Sequence, residues 1–217
     1  MNFSMIRYIL GCVLKIEAAF MLLPCVTAMI YKETEGLVYL GVMAVSLLLG
    51  QLMSFRKPEN TVFYLKEGCV ATSLSWILLS IFGAFPFVLT GEIPSFTDAL
   101  FETVSGFTTT GASILSDVEA LSHCTIMWRS FTHWIGGMGV LVFLLAIVPL
   151  SGGSHINLMR AESPGPSVGK FVPKIKHTAR ILYLIYLGMT ILQIILLCFG
   201  DMPLFEAINT GFATAGT

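Results

Sequence analysis

Long apolar runs alternate with short polar segments along the 217-residue chain. A helix crosses the ~30 Å hydrocarbon core of a bilayer with roughly 17–25 mostly apolar residues. Three runs reach this length without any Asp, Glu, Lys or Arg, and two more reach it with few polar interruptions, among them Lys15 and Glu17. The pattern therefore predicts five membrane-spanning helices, over residues 5–31, 37–55, 68–91, 130–153 and 181–200.

The segment between the third and fourth spans predicts a helix that is too short to cross. Pro94 and Ser95 followed by Asp98 are typical of a helix N-terminus. Apolar residues then recur at helical intervals as far as Phe107. A helix of about ten to twelve residues that runs into a Gly/Thr-rich loop indicates a re-entrant segment, since it cannot span the bilayer.

The loop after this helix, Thr108-Thr109-Thr110-Gly111, has a composition suited to binding a cation. Non-helical backbone at membrane depth is tolerated only where protein or a water-filled cavity satisfies it. Successive carbonyl oxygens of such a strand can replace the hydration shell of a cation, and Gly111 can adopt backbone angles closed to other residues. Taken alone, the segment also fits an ordinary extracellular amphipathic helix with a threonine-rich loop.

A second copy of this pattern follows the fifth span. Phe101-Glu102 recurs as Phe205-Glu206, and Gly106-Phe107 recurs as Gly211-Phe212, again followed by Thr and Gly. The spacing between the two anchors differs by one residue, which leaves the register of the second loop open. An internal repeat of helix and re-entrant loop favours a pore built by pseudo-symmetry over an incidental loop.

The composition agrees with a membrane protein. Only 12% of the residues are charged, 55% are hydrophobic, and the mean hydropathy is +0.83. Soluble domains carry about 25% charged residues, and a soluble fold of this size cannot bury so much apolar surface. These values exclude a soluble enzyme or a disordered tail, and the net charge of −1 offers no basic surface for nucleic acid.

The few charges are sorted by side of the membrane. If the N-terminus is cytoplasmic, nine of the twelve basic residues fall inside, and only Lys32 and Arg129 fall outside. Because the positive-inside rule counts basic residues, this distribution predicts a cytoplasmic N-terminus. Nine of the thirteen acids fall outside, where they would concentrate cations at the outer mouth.

Three stretches resemble motifs of one known family. The run from Asp98 to Ala112 resembles the first pore loop of the TrkH/TrkG-type potassium-uptake subunits, within the wider Trk/Ktr/HKT superfamily. The run from Trp128 to Gly139 resembles the start of that family's first M2 helix, and the run from Phe205 to Thr217 resembles its second pore loop. The two leading spans favour the TrkH branch over the Ktr-like branch.

The resemblance implies K⁺ uptake across the bacterial cytoplasmic (inner) membrane, through four filter strands that bind K⁺ mainly with backbone carbonyls. It implies a first K⁺-binding strand formed by Thr108, Thr109, Thr110, Gly111 and Ala112. It implies a second strand, of uncertain register, formed by Thr214, Ala215, Gly216 and Thr217. K⁺ is then the transported ion, and no cofactor is implied. The implied partners are membrane lipid, a second copy in a homodimer and a cytoplasmic TrkA-like nucleotide-binding regulatory subunit, with no nucleic acid.

The predicted fold class is an all-α polytopic membrane protein with two leading helices, followed by M1–pore loop–M2 repeats with re-entrant pore helices. Residues 1–67 hold the leading helices and 68–153 the first unit; 154–178 form a cytoplasmic linker, and 179–217 hold the M1 helix and pore loop of a truncated second unit. One and a half units cannot close a four-strand filter. The sequence is therefore expected to be a fragment, or to be completed by another polypeptide.

Three polar residues near the first loop, Glu102, Arg129 and His133, are candidates for supporting the filter. Arg129 and His133 are four residues apart and therefore share a helix face. They could support the filter or pair with Glu102 or Asp117. The alternative is an interfacial anchor formed together with Trp128 and Trp134.

Two other classes of function stay open. A secondary transporter without a filter, coupled to Na⁺ or H⁺, also uses broken helices and repeats. An intramembrane enzyme would have to gather His123, Cys124, His133 and Asp117, which follow no metal-ligand spacing. The paired Gly/Thr loops favour the filter, and the chain is not expected to be an enzyme.

Overall fold

The computed structural model describes residues 2–58, 65–147 and 175–216, and their secondary structure is entirely helical. The helices are α1 (Phe3–Phe20), α2 (Leu22–Tyr31), α3 (Gly36–Ser54), α4 (Leu65–Leu89), α5 (Phe96–Phe107), α6 (His123–Ile147), α7 (Ile175–Phe199) and α8 (Leu204–Gly216). Over these ranges no strand occurs, which confirms the predicted all-α class. Most of the predicted linker 154–178 lies outside the described residues.

Four helical stretches of the described residues are long and apolar enough to cross a membrane, namely Phe3–Tyr31, Gly36–Ser54, Glu67–Leu89 and Arg180–Phe199. They correspond to four of the five predicted spans. The remaining prediction, residues 130–153, falls on α6, which is helical as far as Ile147 except at Gly139, where φ is 68° and ψ is 159°. Residues 148–153 lie outside the described part of the chain.

The leading helices form part of the same core as the first repeat unit. Helix α1 packs against both α3 and α4, and α2 packs against α6. Gly11 and Gly50 bring α1 and α3 together, since a methyl group on either glycine would lie 2.7–2.8 Å from the carbonyl oxygen of the other. Such small-residue contacts are how helices approach closely in a bilayer.

Two tryptophans of α6 tie that helix to its neighbours. Both side chains are buried. Trp128 Nε1 donates to the Gly83 carbonyl of α4 at 3.0 Å, and Trp134 Nε1 donates to Thr190 Oγ1 of α7 at 3.1 Å. Each indole therefore has a hydrogen-bond partner inside the helix packing, and the interfacial-anchor alternative for Arg129 and His133 stays untested.

At one end of the molecule, Glu33 caps the start of α6. Its carboxylate accepts from the backbone N–H groups of His123 at 2.8 Å and Cys124 at 2.9 Å, and it lies 2.8 Å from His123 Nδ1. Burial raises the pKa of Glu33, but these hydrogen bonds outweigh it and leave the pKa below its usual value. A carboxylate at a helix N-terminus is also stabilised by the helix dipole.

Further contacts at this end bring more of the predicted outer loops together. The Tyr31 ring stacks on the His123 ring at 3.9 Å, and the Phe205 ring of α8 contacts both. Glu92, in the turn after α4, accepts from the backbone N–H of Ser122 at 2.6 Å. The turns around residues 33, 92, 122 and 205 thus lie at the same end of the molecule. This is expected if all four turns lie on the same side of the membrane.

Candidate functional site

The first pore loop begins with the short helix α5, whose twelve residues confirm the predicted length. Ser95 Oγ accepts from the backbone N–H of Asp98 at 3.4 Å, as expected for the predicted N-cap. The helix packs against α4 and α6. Its C-terminus, which carries the partial negative charge of the helix dipole, leads directly into Thr108.

Glycines allow α6 to approach the last turn of α5 closely. A methyl group at Gly106 would overlap Thr132 Oγ1 of α6. A methyl group at Gly136 would lie 2.9 Å from the Gly106 carbonyl oxygen and would overlap the Phe107 carbonyl. The end of the short helix is therefore held by direct backbone contact with α6.

The backbone of the loop changes handedness from one residue to the next. Thr108 has φ of −87°, Thr109 has φ of +56°, and Gly111 has φ of +72°, whereas Thr110 is not in the positive-φ region. The positive φ of Thr109 closes α5 in a Schellman motif, since the Thr109 N–H donates to the Gly106 carbonyl at 3.0 Å and the Thr110 N–H donates to the Ser105 carbonyl at 2.9 Å. These bonds occupy N–H groups of the turn and leave its carbonyl oxygens for other partners.

These carbonyl oxygens are free of competing donors. Within the described residues, no hydrogen bond reaches the carbonyl oxygens of Thr108, Thr109, Thr110 or Gly111. The threonine hydroxyls bond elsewhere: Thr108 Oγ1 donates to the Val104 carbonyl at 2.7 Å and lies 2.8 Å from Thr110 Oγ1. A row of unpaired carbonyls is the ligand type that a dehydrated monovalent cation requires.

The far end of the loop is anchored to α5. Ser105 Oγ donates to the Ala112 carbonyl at 2.5 Å, so this carbonyl is turned toward the helix. Of the five predicted ligands, Ala112 is thus the one whose oxygen is already bonded to protein.

Glu102 is the centre of a second, charged anchor. Its side chain is fully buried and lies 2.5 Å from Arg129 Nε of α6, whose own side chain is 14% exposed. The same carboxylate accepts from Ser113 Oγ at 3.0 and 3.1 Å and from the Ile114 backbone N–H at 3.1 Å. One buried carboxylate therefore joins α5, α6 and the residues that follow the loop.

His133 lies beside this network. Its ring Nδ1 is 3.0 Å from the Arg129 carbonyl, and a methyl group on Gly106 would lie 3.6 Å from the same nitrogen. The structure thus brings Glu102, Arg129 and His133 to the back of the loop. Their effect on ion binding stays a prediction.

The second pore loop differs from expectation. Thr214, Ala215 and Gly216 form the last turn of α8 instead of an extended strand, and Thr217 lies outside the described residues. Gly216 packs directly on the His133 carbonyl of α6, which favours continuing the helix to this point. The contacts that anchor the first loop come from Ala112, Ser113 and Ile114.

The residues of the enzyme alternative are not brought together. His123 pairs with Glu33, whereas His133 lies ten residues further along α6, about 15 Å away at the helical rise. Asp117 accepts from the backbone N–H of Glu119 in the loop before α6. In the part of the chain that the structure describes, no group of three or more His, Cys, Asp or Glu residues could hold a metal ion.

Comparisons with known proteins agree with the geometry. The family model of the TrkH cation transport proteins matches residues 37–215. The Trk system potassium uptake protein TrkH of Salmonella typhimurium is 36% identical over 218 residues, which covers 99% of this chain and 45% of that protein. The corresponding TrkG of Escherichia coli K12 is 34% identical over 220 residues, with the same coverage.

A solved structure gives the same result. The crystal structure of the potassium transporter TrkH from Vibrio parahaemolyticus matches with a TM-score of 0.78 at 30% identity, over 98% of this chain and 42% of that one. The chain therefore spans less than half the length of these relatives. The family model covers most of the chain, and the fold of the chain matches that of this crystal structure. The chain therefore belongs to the TrkH family of cation transport proteins.

Proposed function

We propose that this chain takes part in K⁺ uptake across the bacterial cytoplasmic membrane and supplies one strand of a carbonyl-lined filter. The proposal rests on one observation: the unpaired carbonyls of Thr108 to Gly111 follow directly on the C-terminus of α5. A weakly hydrated cation can exchange its water for such oxygens, whereas an anion would be repelled by them and by the helix dipole.

The other strands of the filter would come from a second loop at residues 214–217 and from units outside these 217 residues. The relatives named above act in K⁺ uptake and are more than twice as long. By analogy, the complete transporter would be a homodimer regulated by a cytoplasmic TrkA-like nucleotide-binding subunit. The N-terminus of this chain would lie in the cytoplasm, and the chain would act as a transporter, not as an enzyme.

The test replaces Gly111 with valine in the natural protein that contains this chain. Valine disfavours the positive φ of 72° at this position, so the carbonyls should lose their alignment and K⁺/Na⁺ discrimination in uptake should fall sharply. Gly91→Val is the matched control, because Gly91 also has a positive φ of 80° but lies in a turn after α4 with open space around it. Unchanged discrimination in a membrane-inserted Gly111→Val protein would overturn the filter assignment.

A further inference from the structure

Glu17 lies near the middle of the first span, Phe3–Tyr31, and is 1% exposed. Neither carboxylate oxygen has a hydrogen-bond partner among the described residues. An ionised carboxylate without a partner is very costly in an apolar interior, and such a group takes up a proton instead. An ionisable residue in the interior of a membrane bundle is also rare unless it serves a function.

Within the described part of the chain, no charged side chain other than Glu17 itself lines the cavity beside it. This small cavity is lined by the apolar residues Val13, Ile16, Phe20, Leu79, Phe107 and Ile135. These come from α1, α4, α5 and α6, and none of them titrates. Lys15, the nearest charge on α1, lies against Gly50 of α3, on another side of the helix.

Glu17 is in contact with the structure behind the filter. A methyl group on Gly83 of α4 would lie 3.3 Å from Glu17 Oε1, 3.1 Å from the Phe107 ring and 2.8 Å from the Thr103 side chain. Phe107 is the last residue of α5, and Thr108 begins the loop. Glu17 and Phe107 line the same small cavity, so Phe107 connects Glu17 to the start of the loop.

We propose that Glu17 is a proton-binding site behind the pore helix, and that its proton holds α5 in the described position. One O–H bond forms between a solvent proton and a carboxylate oxygen. Loss of the proton leaves a charge that must gain water, which requires Phe107 and its neighbours to separate. The consequence for transport rests on the proposed function: K⁺ uptake should fall at alkaline pH as Glu17 ionises.

Two measurements on the natural protein in liposomes test this site. Infrared spectroscopy should show the C=O band of a protonated carboxyl group, absent in Glu17→Gln and displaced in Glu17→Asp. In uptake assays, the wild-type rate should fall with rising pH by up to about tenfold per pH unit, the limit for one proton. Glu17→Gln, which is neutral at every pH, should keep its neutral-pH rate without this fall. Glu119→Gln, which removes an exposed carboxylate, is the control and should behave as wild type.

The outcomes separate the two proposals. An infrared band unaffected by both Glu17 variants would overturn the proton site, and so would a pH profile shared by wild type and Glu17→Gln. If wild-type protein shows no K⁺-selective uptake at any pH, the proposed function fails, while the infrared band still decides whether Glu17 holds a proton.

Discussion

At the scale of single residues, the candidate filter segment is held by side chains behind it, Glu102 foremost. The Glu102 carboxylate forms an ion pair with Arg129 and accepts hydrogen bonds from the Ser113 hydroxyl and the Ile114 backbone N–H. Because its partners come from both α6 and the segment that follows Gly111, the carboxylate fixes the path of the chain beyond the loop. Ligand carbonyls need such support, since an unsupported loop would collapse onto a bound ion or turn away from it.

Glu102→Gln tests this support. The amide keeps the shape but leaves the Arg129 guanidinium buried without a counter-charge, and breaking such a pair costs roughly 3–5 kcal/mol. We expect lower thermal stability of the purified protein together with weaker K⁺/Na⁺ discrimination. Glu206→Gln, the exposed counterpart in the second copy, should change stability little. Equal stability and equal discrimination in the two variants would show that the Glu102–Arg129 pair is dispensable.

At the scale of elements, α5 is positioned by backbone contact with α6. Gly136 lies against the Phe107 and Gly106 carbonyls, so no side chain separates the two helices at the start of the loop. Trp128 and Trp134 fix α6 in turn against α4 and α7. The position of the filter segment thus follows from the packing of one long helix.

Gly136→Ala should therefore destabilise the protein, although alanine is the better helix former. Overpacking at a tight contact costs about 1–3 kcal/mol, more than the ~1 kcal/mol that alanine gains over glycine in a helix. At Gly188 in α7, an added methyl group would meet no described atom within 4 Å apart from its own stretch of helix, so Gly188→Ala should be neutral or slightly stabilising. Thermal unfolding of both variants in one lipid system measures the difference, and equal midpoints would contradict the packing argument.

The local elements could be predicted from the sequence, whereas the pairs between them could not be fixed: for Arg129 the sequence left Glu102 and Asp117 as alternative partners. Helix α5 was predictable because Ser95 and the apolar spacing up to Phe107 are local signals. The Glu102–Arg129 pair joins residues 27 apart, and the Glu33–His123 contact joins residues 90 apart. No periodicity encodes such distances. The second filter strand stays a prediction of open register, and residues 214–216 belong to helix α8.

At the scale of the whole molecule, the turns near Glu33, Glu92, Ser122 and Phe205 lie at one end. For these turns to lie at one end, the chain must cross the membrane an even number of times between any two of them. Five spans of alternating direction meet this condition. The arrangement leaves open which end is outside. The distribution of Lys and Arg predicts that this end is outside, since nine of the twelve basic residues lie at the other end in the predicted topology.

Cysteine labelling tests this orientation directly. Asp117 lies exposed in the loop after the filter segment, so Asp117→Cys should react with a membrane-impermeant maleimide in intact cells. Lys170, which lies outside the described residues, is predicted in the cytoplasmic linker, so Lys170→Cys should react only after the membrane is opened. The five native cysteines, of which Cys69 is exposed, must first be replaced by serine. The opposite labelling pattern would show that the predicted topology is inverted, with the acidic turns and the filter entrance on the cytoplasmic side.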